Sequence, residues 1–464
     1  MRIAAFLLLL TACRCAPVPD SAPEDSLPPD THDTRDTHDS RPPEGITDLS
    51  WRLHEGMESL VWVHWVQGTT GPVHAEVSFD EGIWEPSPTW DLGAGEHERL
   101  VVGIPFATTA TWRIVADDGS AVDGAPITTG AIPAGLPLGV VDVADPTRWL
   151  PEGRYLLTSV NQNTGGWCYG TYWTFLMDRQ GRPVWAQAAP SHHWTLYTQV
   201  SVDGSHFIWD EATFWSNFDA GEHSVVHRQY LDREIEQIST PGLHHAFVEL
   251  PDHSLVWGSR FHGGGESLVQ RAPGQEGETV LWTCAENWPT TEKDCESNGL
   301  FYAADTDRFL YSFFTNDTVV EVDHATGASL WWAGRVEGGY AFDPTDSQYA
   351  WQHGVSYTEE GHLLVSTHPP DGIRSTMVRE YEVDHEAKTL RQVWCYDAGI
   401  YASTNGDAWR LPNGNTLHLL GSAGEINEVT PTGEVVWHVT WSGTHLLGRG
   451  EFVDDLYALV GPAE

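Results

Sequence analysis

Three short segments put polar, chemically useful side chains at the start of alternating apolar stretches: His244-His245, Gln352-His353 and Gly406-Asp407. Arg374 lies close by in the chain, in the loop Pro369-Pro370-Asp371-Gly372-Ile373-Arg374. A neutral imidazole is a nucleophile or base at neutral pH, and a guanidinium fork suits sulfate-like or phosphate-like oxygens. A further histidine, His418, sits in Thr416-Leu417-His418-Leu419, just after the turn Leu411-Pro412-Asn413-Gly414. Taken singly, each histidine is equally well explained as a structural residue with both ring nitrogens hydrogen-bonded, and strand alternation can bury His418 between sheets. What unites the set is its position at the entrances of successive repeat units.

Those units begin near residues 151, 196, 244, 299, 352 and 406, a spacing suited to four-stranded antiparallel blades. Most close with a turn, a glycine, an apolar residue and a tryptophan. The closing segments run from Met177 to Trp185, Gly277 to Trp282, Val322 to Trp331, Val383 to Trp394 and Val429 to Trp437, with a degenerate copy from Tyr230 to Ile238. The pattern predicts an all-β fold in which residues 132–464 form a six-bladed β-propeller, with the recurrent tryptophans filling the gaps between blades. The tail from His445 to Leu459 is placed to supply the strand that closes the ring. An eight-bladed quinoprotein propeller is the other architecture considered, because Asp323-His324-Ala325-Thr326-Gly327-Ala328-Ser329-Leu330-Trp331 approaches its tryptophan docking motif. In a propeller the innermost strands surround a central channel, so residues at the unit entrances converge there.

Upstream, residues 47–131 alternate as a small fibronectin-like or Ig-like β-sandwich, with Val61, Val63 and Trp65, then Ala75, Val77 and Phe79, then Trp112, Ile114 and Ala116 on single faces. Residues 1–12 read as a signal peptide, and Leu10-Thr11-Ala12-Cys13 resembles a bacterial lipobox, which makes Cys13 the lipidated mature N-terminus. Residues 13–46 are an acidic Pro/Thr/Asp-rich linker expected to stay disordered. The expected location is therefore the bacterial envelope, exported and held by lipid; Arg14, rather than Asp, after the cysteine favours the outer membrane. Cys284 and Cys295, close in sequence across a polar loop, are the first choice for a disulfide, whereas Cys168 and Cys395 either pair or stay free.

A formal charge of −42, with 24 basic against 66 acidic residues, excludes nucleic-acid binding and attraction to anionic lipid head groups. The two lysines, Lys293 and Lys388, lack the flanking sequence of a P-loop or a Schiff-base site. No cofactor or metal motif is expected.

Several blocks in order resemble the bacterial arylsulfate sulfotransferase family: Tyr311 to Gly327, Trp351-Gln352-His353, Met377 to Asp384, and Arg410 to Leu417, preceded by His244-His245 with Leu250-Pro251-Asp252. The likeness covers residues 240–440 well and 132–239 loosely. It implies a periplasmic six-bladed propeller that moves a sulfuryl group from a phenolic sulfate ester to another phenol through a histidine, without a nucleotide donor. Carried over by position, His353, Arg374 and one of His244 and His245 take oxygen-binding or acid–base roles. The ligand implied is a small anionic aryl sulfate or a phenol. This chain departs from the pattern in three places. The family's last-blade histidine near a Gly-Ser pair is missing after Gly421-Ser422, Thr315 replaces an arginine, and Thr367-His368-Pro369 replaces Asp-Asn-Gly. His418 becomes the first candidate for the nucleophile. The alternative function is a non-catalytic envelope lipoprotein whose propeller and sandwich form a binding platform.

Overall fold

The computed structural model describes residues 45–80, 82–164, 170–190, 193–213, 224–260, 266–288, 295–370, 375–442 and 445–462. The described chain is all-β and almost wholly antiparallel. The signal segment, Cys13, nearly all of the linker, Cys168 and Arg374 lie outside the described residues.

Residues 46–128 form two facing sheets. One pairs Ile46–His54, Met57–Gln67 and Gly95–Val101; the other is built around Gly71–Asp80 and Thr109–Ala116. Strand alternation sends Val61, Val63, Trp65, Ala75, Val77, Trp112 and Ile114 into one shared core, with Phe79 and Ala116 packed at its margin. This pair of sheets is docked on the first downstream sheet: Ser59 Oγ donates to Val184 O at 2.7 Å, and Arg182 clamps Asp80 with two hydrogen bonds of 2.8 and 2.6 Å.

Downstream, six sheets succeed one another in a propeller-like series. Each is assembled chiefly from strands adjacent in sequence. The second to sixth have Thr198–Val200, Leu243–Glu249, Ser297–Ala303, Ala350–Tyr357 and Asp407–Arg410 at one edge, with His193–Trp194 ahead of Thr198–Val200 along the same edge of the second. The first sheet is made differently. Its own strands Tyr155–Thr164, Tyr172–Asp178 and Pro183–Ala188 accept a fourth strand from the far end of the chain, His445–Leu447 with Glu451–Val453. Reciprocally, Val140–Ala144 pairs with Val435–Thr440 of the sixth sheet. The tail thus pairs where the sequence placed it, and it occupies the edge position that the sequence reading gave to the strand near residue 151.

A register slip recurs at one point in all six. Leu176–Trp185, Arg228–Glu236, Leu268–Trp282, Glu321–Trp331, Glu380–Trp394 and Glu428–Trp437 pair, and the next residue of the first-named strand then pairs two positions back. One residue is extruded each time, a β-bulge that bends the outer strand and turns its side chain toward the neighbouring sheet. Four of the five tryptophans use that direction to donate Nε1–H into the next sheet. Trp185 reaches Leu231 O at 2.9 Å, Trp282 reaches Ser329 Oγ at 2.9 Å, Trp394 reaches Pro431 O at 2.8 Å, and Trp437 reaches Arg179 O at 2.9 Å. The last bond joins the sixth sheet to the first. Trp185, Trp282, Trp331 and Trp437 are fully buried, while Trp394 is half-buried under Arg410, whose guanidinium carbon stands 4.4 Å from the ring centre. Gly181, Gly327 and Gly433, four residues ahead of three of these tryptophans, have φ of +82°, +67° and +85°, which explains the glycine in the motif.

Candidate functional site

The edge strands of the third and fifth sheets carry the same irregularity. Leu243 pairs with Ser259 and Phe247 with Trp257, so three residues on one strand face one on the other. Ala350 pairs with His368 and Gly354 with Ser366, giving the same surplus. The extruded residues are 244–246 and 351–353. Within them His245 has φ of +64° and Trp351 φ of +50°, conformations that cost bulky L-residues energy and concentrate at functional sites. Two of the histidines singled out by the sequence, His245 and His353, are therefore aimed by bulges, and they share one electrostatic neighbourhood with Arg449.

His353 is half-buried, yet protein encloses it closely enough to disfavour its charged form. Its Nδ1 lies 3.0 Å from the Trp351 carbonyl, which can only accept, so Nδ1 carries the proton and Nε2 holds the lone pair. Desolvation, then the proximity of His368 and Arg449, push its pKa down to about 3. His368 is fixed in the same tautomer by Ser375 O at 2.9 Å, and burial lowers its pKa too. The rings of His353 and His368 meet edge-on at 6.5 Å. Aromatic groups complete the surroundings: Phe314 stacks against His353 at 6.4 Å, Trp351 meets Phe314 at 5.0 Å, and Tyr401 lies 5.2 Å from His368. His245 is buried between Trp194 and Tyr197, 5.6 and 6.5 Å away, and desolvation drives its pKa well below the usual histidine range, with Arg260, His353 and Arg449 acting in the same direction.

The cation that joins this group is Arg449, which the sequence reading did not single out. It sits between the two short strands of the closing tail. Its N–H donates to Leu196 O at 2.7 Å, and its carbonyl accepts from Thr158 and Thr198 at 3.1 and 3.0 Å. Its guanidinium lies 4.4 Å from the Tyr197 ring centre and donates through Nη2 to Asn298 O at 2.6 Å and to His353 O. Asp407, the sixth-sheet residue expected at the axis, is 3.8 Å from Arg449 Nε. Burial raises Asp407 to about 6 despite that arginine, and Glu451, which accepts from Val200 N–H at 2.5 Å, is raised by burial to about 7. The arginine thus gives Nη2 to two carbonyls, while its Nε stands 3.8 Å from the Asp407 carboxylate without a hydrogen bond to it. The chemistry left open is that of neutral, lone-pair-bearing imidazoles in an aromatic surround.

His418 is enclosed within the sixth sheet, with His368 as its electrostatic neighbour. It pairs with Ala408 and Asn427 in the sixth sheet, is 0 % exposed, and has Nε2 3.3 Å from Ser366 Oγ of the fifth sheet. Desolvation, then His368, lower its pKa to about 3. His244 lies on the strand Leu243–Glu249, but its side chain is outside the described residues, as is all of Arg374. Cys284 and Cys295 are joined in a disulfide, and Cys395 is a free, exposed thiol.

No protein-family model and no curated protein matches the chain. Solved structures similar to it include TolB from Acinetobacter baumannii, with 11% identity and a TM-score of 0.45 over 75% of this chain and 80% of that one. The β-propeller domain of Cps50 (Swd1) from Myceliophteria thermophila is similar at 14% identity and a TM-score of 0.41, over 66% of this chain and 86% of that one. A protein of unknown function from Bacteroides caccae is similar at 13% identity and a TM-score of 0.42, over 64% and 98%.

Proposed function

We propose that this chain is an exported, lipid-anchored β-propeller protein that binds a small neutral phenol at the axial mouth of a six-bladed ring, the ring being carried on a fibronectin-like sandwich. Six consecutive sheets with a shared bulge support the blade count, and the two facing sheets upstream support the sandwich. The single observation that carries the ligand class is the tautomer of His353: with Nδ1–H given to Trp351 O, Nε2 is left as an acceptor on a ring that stacks with Phe314. A phenol offers what that arrangement lacks, an O–H donor on a flat apolar ring. A free sulfate monoester is a poorer match, since Nη2 of Arg449 already serves two carbonyls and the Asp407 carboxylate stands 3.8 Å from its Nε.

Sulfuryl transfer is the second reading, favoured by two neutral imidazoles, His353 and His368, at one mouth. In that chemistry Nε2 forms the bond to sulfur and an aryl oxide leaves. One experiment separates the readings. Purified protein is mixed with 4-nitrophenyl sulfate and a phenol acceptor while nitrophenolate absorbance is followed, and phenol binding is measured in parallel by calorimetry. Binding without nitrophenolate release supports the binding protein; catalytic release that His353→Gln abolishes replaces it with the transferase; neither signal removes the axial site. Anchoring is tested separately: Cys13→Ala should release the protein from membranes.

A further inference from the structure

The six sheets differ at one junction. Five carry tryptophan at the bulge, but the second carries Glu236. No indole from that position fills the gap between the second and third sheets. A polar cluster stands there instead. Glu249, 2 % exposed at the end of Leu243–Glu249, lies with Oε2 3.1 Å from His206 Nε2 and Oε1 3.6 Å from His253 Nδ1. The three ligand atoms all fall within 4.8 Å of one another. These separations approach the edge of about 3.3 Å expected between ligands of a tetrahedral ion with bonds of ~2.0–2.2 Å.

The surroundings fit a ligand set. Arg228 donates through Nε to Glu249 Oε1 at 2.6 Å, and through its other nitrogens to Glu236 and to His253 O. Glu249 Oε2 makes no hydrogen bond of good geometry, although His206 Nε2 also contacts Oε1 at 3.3 Å. Ser205 Oγ lies 3.0 Å from His206 Nδ1, where an outer partner would fix the ring with Nε2 directed inward. His253 has φ of +62° in a tight turn, N–H to Leu250 O, at the position where the corresponding turns of other sheets have Gly204, Gly361 and Gly414. A histidine held there against its backbone preference needs a role for its side chain, and that side chain is 47% exposed, leaving the remaining coordination position open to water.

We propose that His206, Glu249 and His253 bind a divalent ion of the zinc class, which staples the second sheet to the third where the tryptophan is missing. Two imidazoles and one carboxylate are a common zinc donor set, and the net charge of −42 favours cations over the surface generally. The test uses the full chain stripped with EDTA and titrated with zinc by calorimetry, with thermal midpoints recorded with and without the metal. The expected result is one event that survives replacement of the linker histidines His32 and His38 by alanine. His253→Ala should weaken it by at least about 100-fold. Zinc at about 100 times its dissociation constant should raise the midpoint on the order of 3 °C, and His253→Gly should abolish that gain. Because His253 is exposed, its variants fold even if His206→Ala does not. Absence of zinc uptake, or uptake unchanged in His253→Ala, would overturn the proposal and leave His206 as an ion-pair partner of Glu249.

Discussion

Acidification from pH 7.5 to 4.5 should leave phenol binding at the axial mouth nearly unchanged. An ordinary histidine with a pKa near 6.5 is only about 1% neutral at pH 4.5, so an acceptor of that kind would lose roughly 100-fold in affinity. His353, pushed down to about 3, keeps its Nε2 lone pair across the range. Its charged neighbours reinforce this: His368 and Arg449 act in the same direction as desolvation and disfavour a proton on the ring. The measurement is calorimetry or tryptophan quenching with a phenol that stays un-ionised throughout. His353→Gln, which loses the fixed acceptor, should bind about fivefold more weakly at both pH values, in keeping with one hydrogen bond of roughly 1 kcal/mol. An affinity that collapses with a midpoint near 6.5, or a His353→Gln variant that binds normally, would refute the argument.

Other perturbations probe the scaffold. His418, with a folded pKa of about 3 against an unfolded value near 6.5, takes up fewer protons in the native state between those limits. Its stabilising share is complete above pH 6.5 and is lost as pH falls, by up to roughly 3 kcal/mol at pH 4.5. His418→Leu should therefore resist acid better than wild type in urea titrations at pH 7.5 and 4.5; parallel losses would contradict this. Trp437→Ala, at the junction that joins sixth sheet to first, should cost about 3–5 kcal/mol in the same assay, and Trp394→Ala distinctly less because that ring is half-buried. Removing the disulfide as Cys284→Ser with Cys295→Ser, 11 residues apart, should cost about 3 kcal/mol by loop entropy, read as a lower unfolding midpoint under oxidising conditions.

The repeat was legible because its signals are local. A glycine with positive φ and a tryptophan four residues later are turn and bulge chemistry, and they appear in the sequence wherever the hairpin does. The alternation of residues 61–65, 75–77 and 112–114 was legible for the same reason. The axial group was only half legible. His245 and His353 were found from their place at unit entrances, but the surplus residues that aim them are a pairing property, visible only once Ser259 and His368 are known to be the partners. His418 could not be assigned by alternation, because its strand Thr416–Leu420 is buried on both faces and shows no polar side. Arg449 was missed because nothing near it in sequence marks it; its location follows from a strand that pairs with residues about 300 positions earlier. The segment Ala341–Asp343, which adds a parallel strand to the fifth sheet, carries no periodicity long enough to read.

The two terminal pairings have a consequence for the order in which the molecule can be made. As the chain emerges from its amino end, the second to fifth sheets can each be completed soon after their own residues appear, because their partners are sequence neighbours. The first sheet waits for Glu451–Val453, and Val140–Ala144 waits for Val435–Thr440. Closing such distant ends costs chain entropy that is met only when synthesis is nearly over. Arg449 arrives with that last strand and brings the donors for Asn298 O and His353 O. A chain halted at residue 442 would hold its finished middle sheets and its histidines, yet lack Arg449 and the bonds that tie it to Asn298 O and His353 O. The grouping of Arg449 with the histidines thus exists only once the last strand has paired, whatever sheets were finished before it.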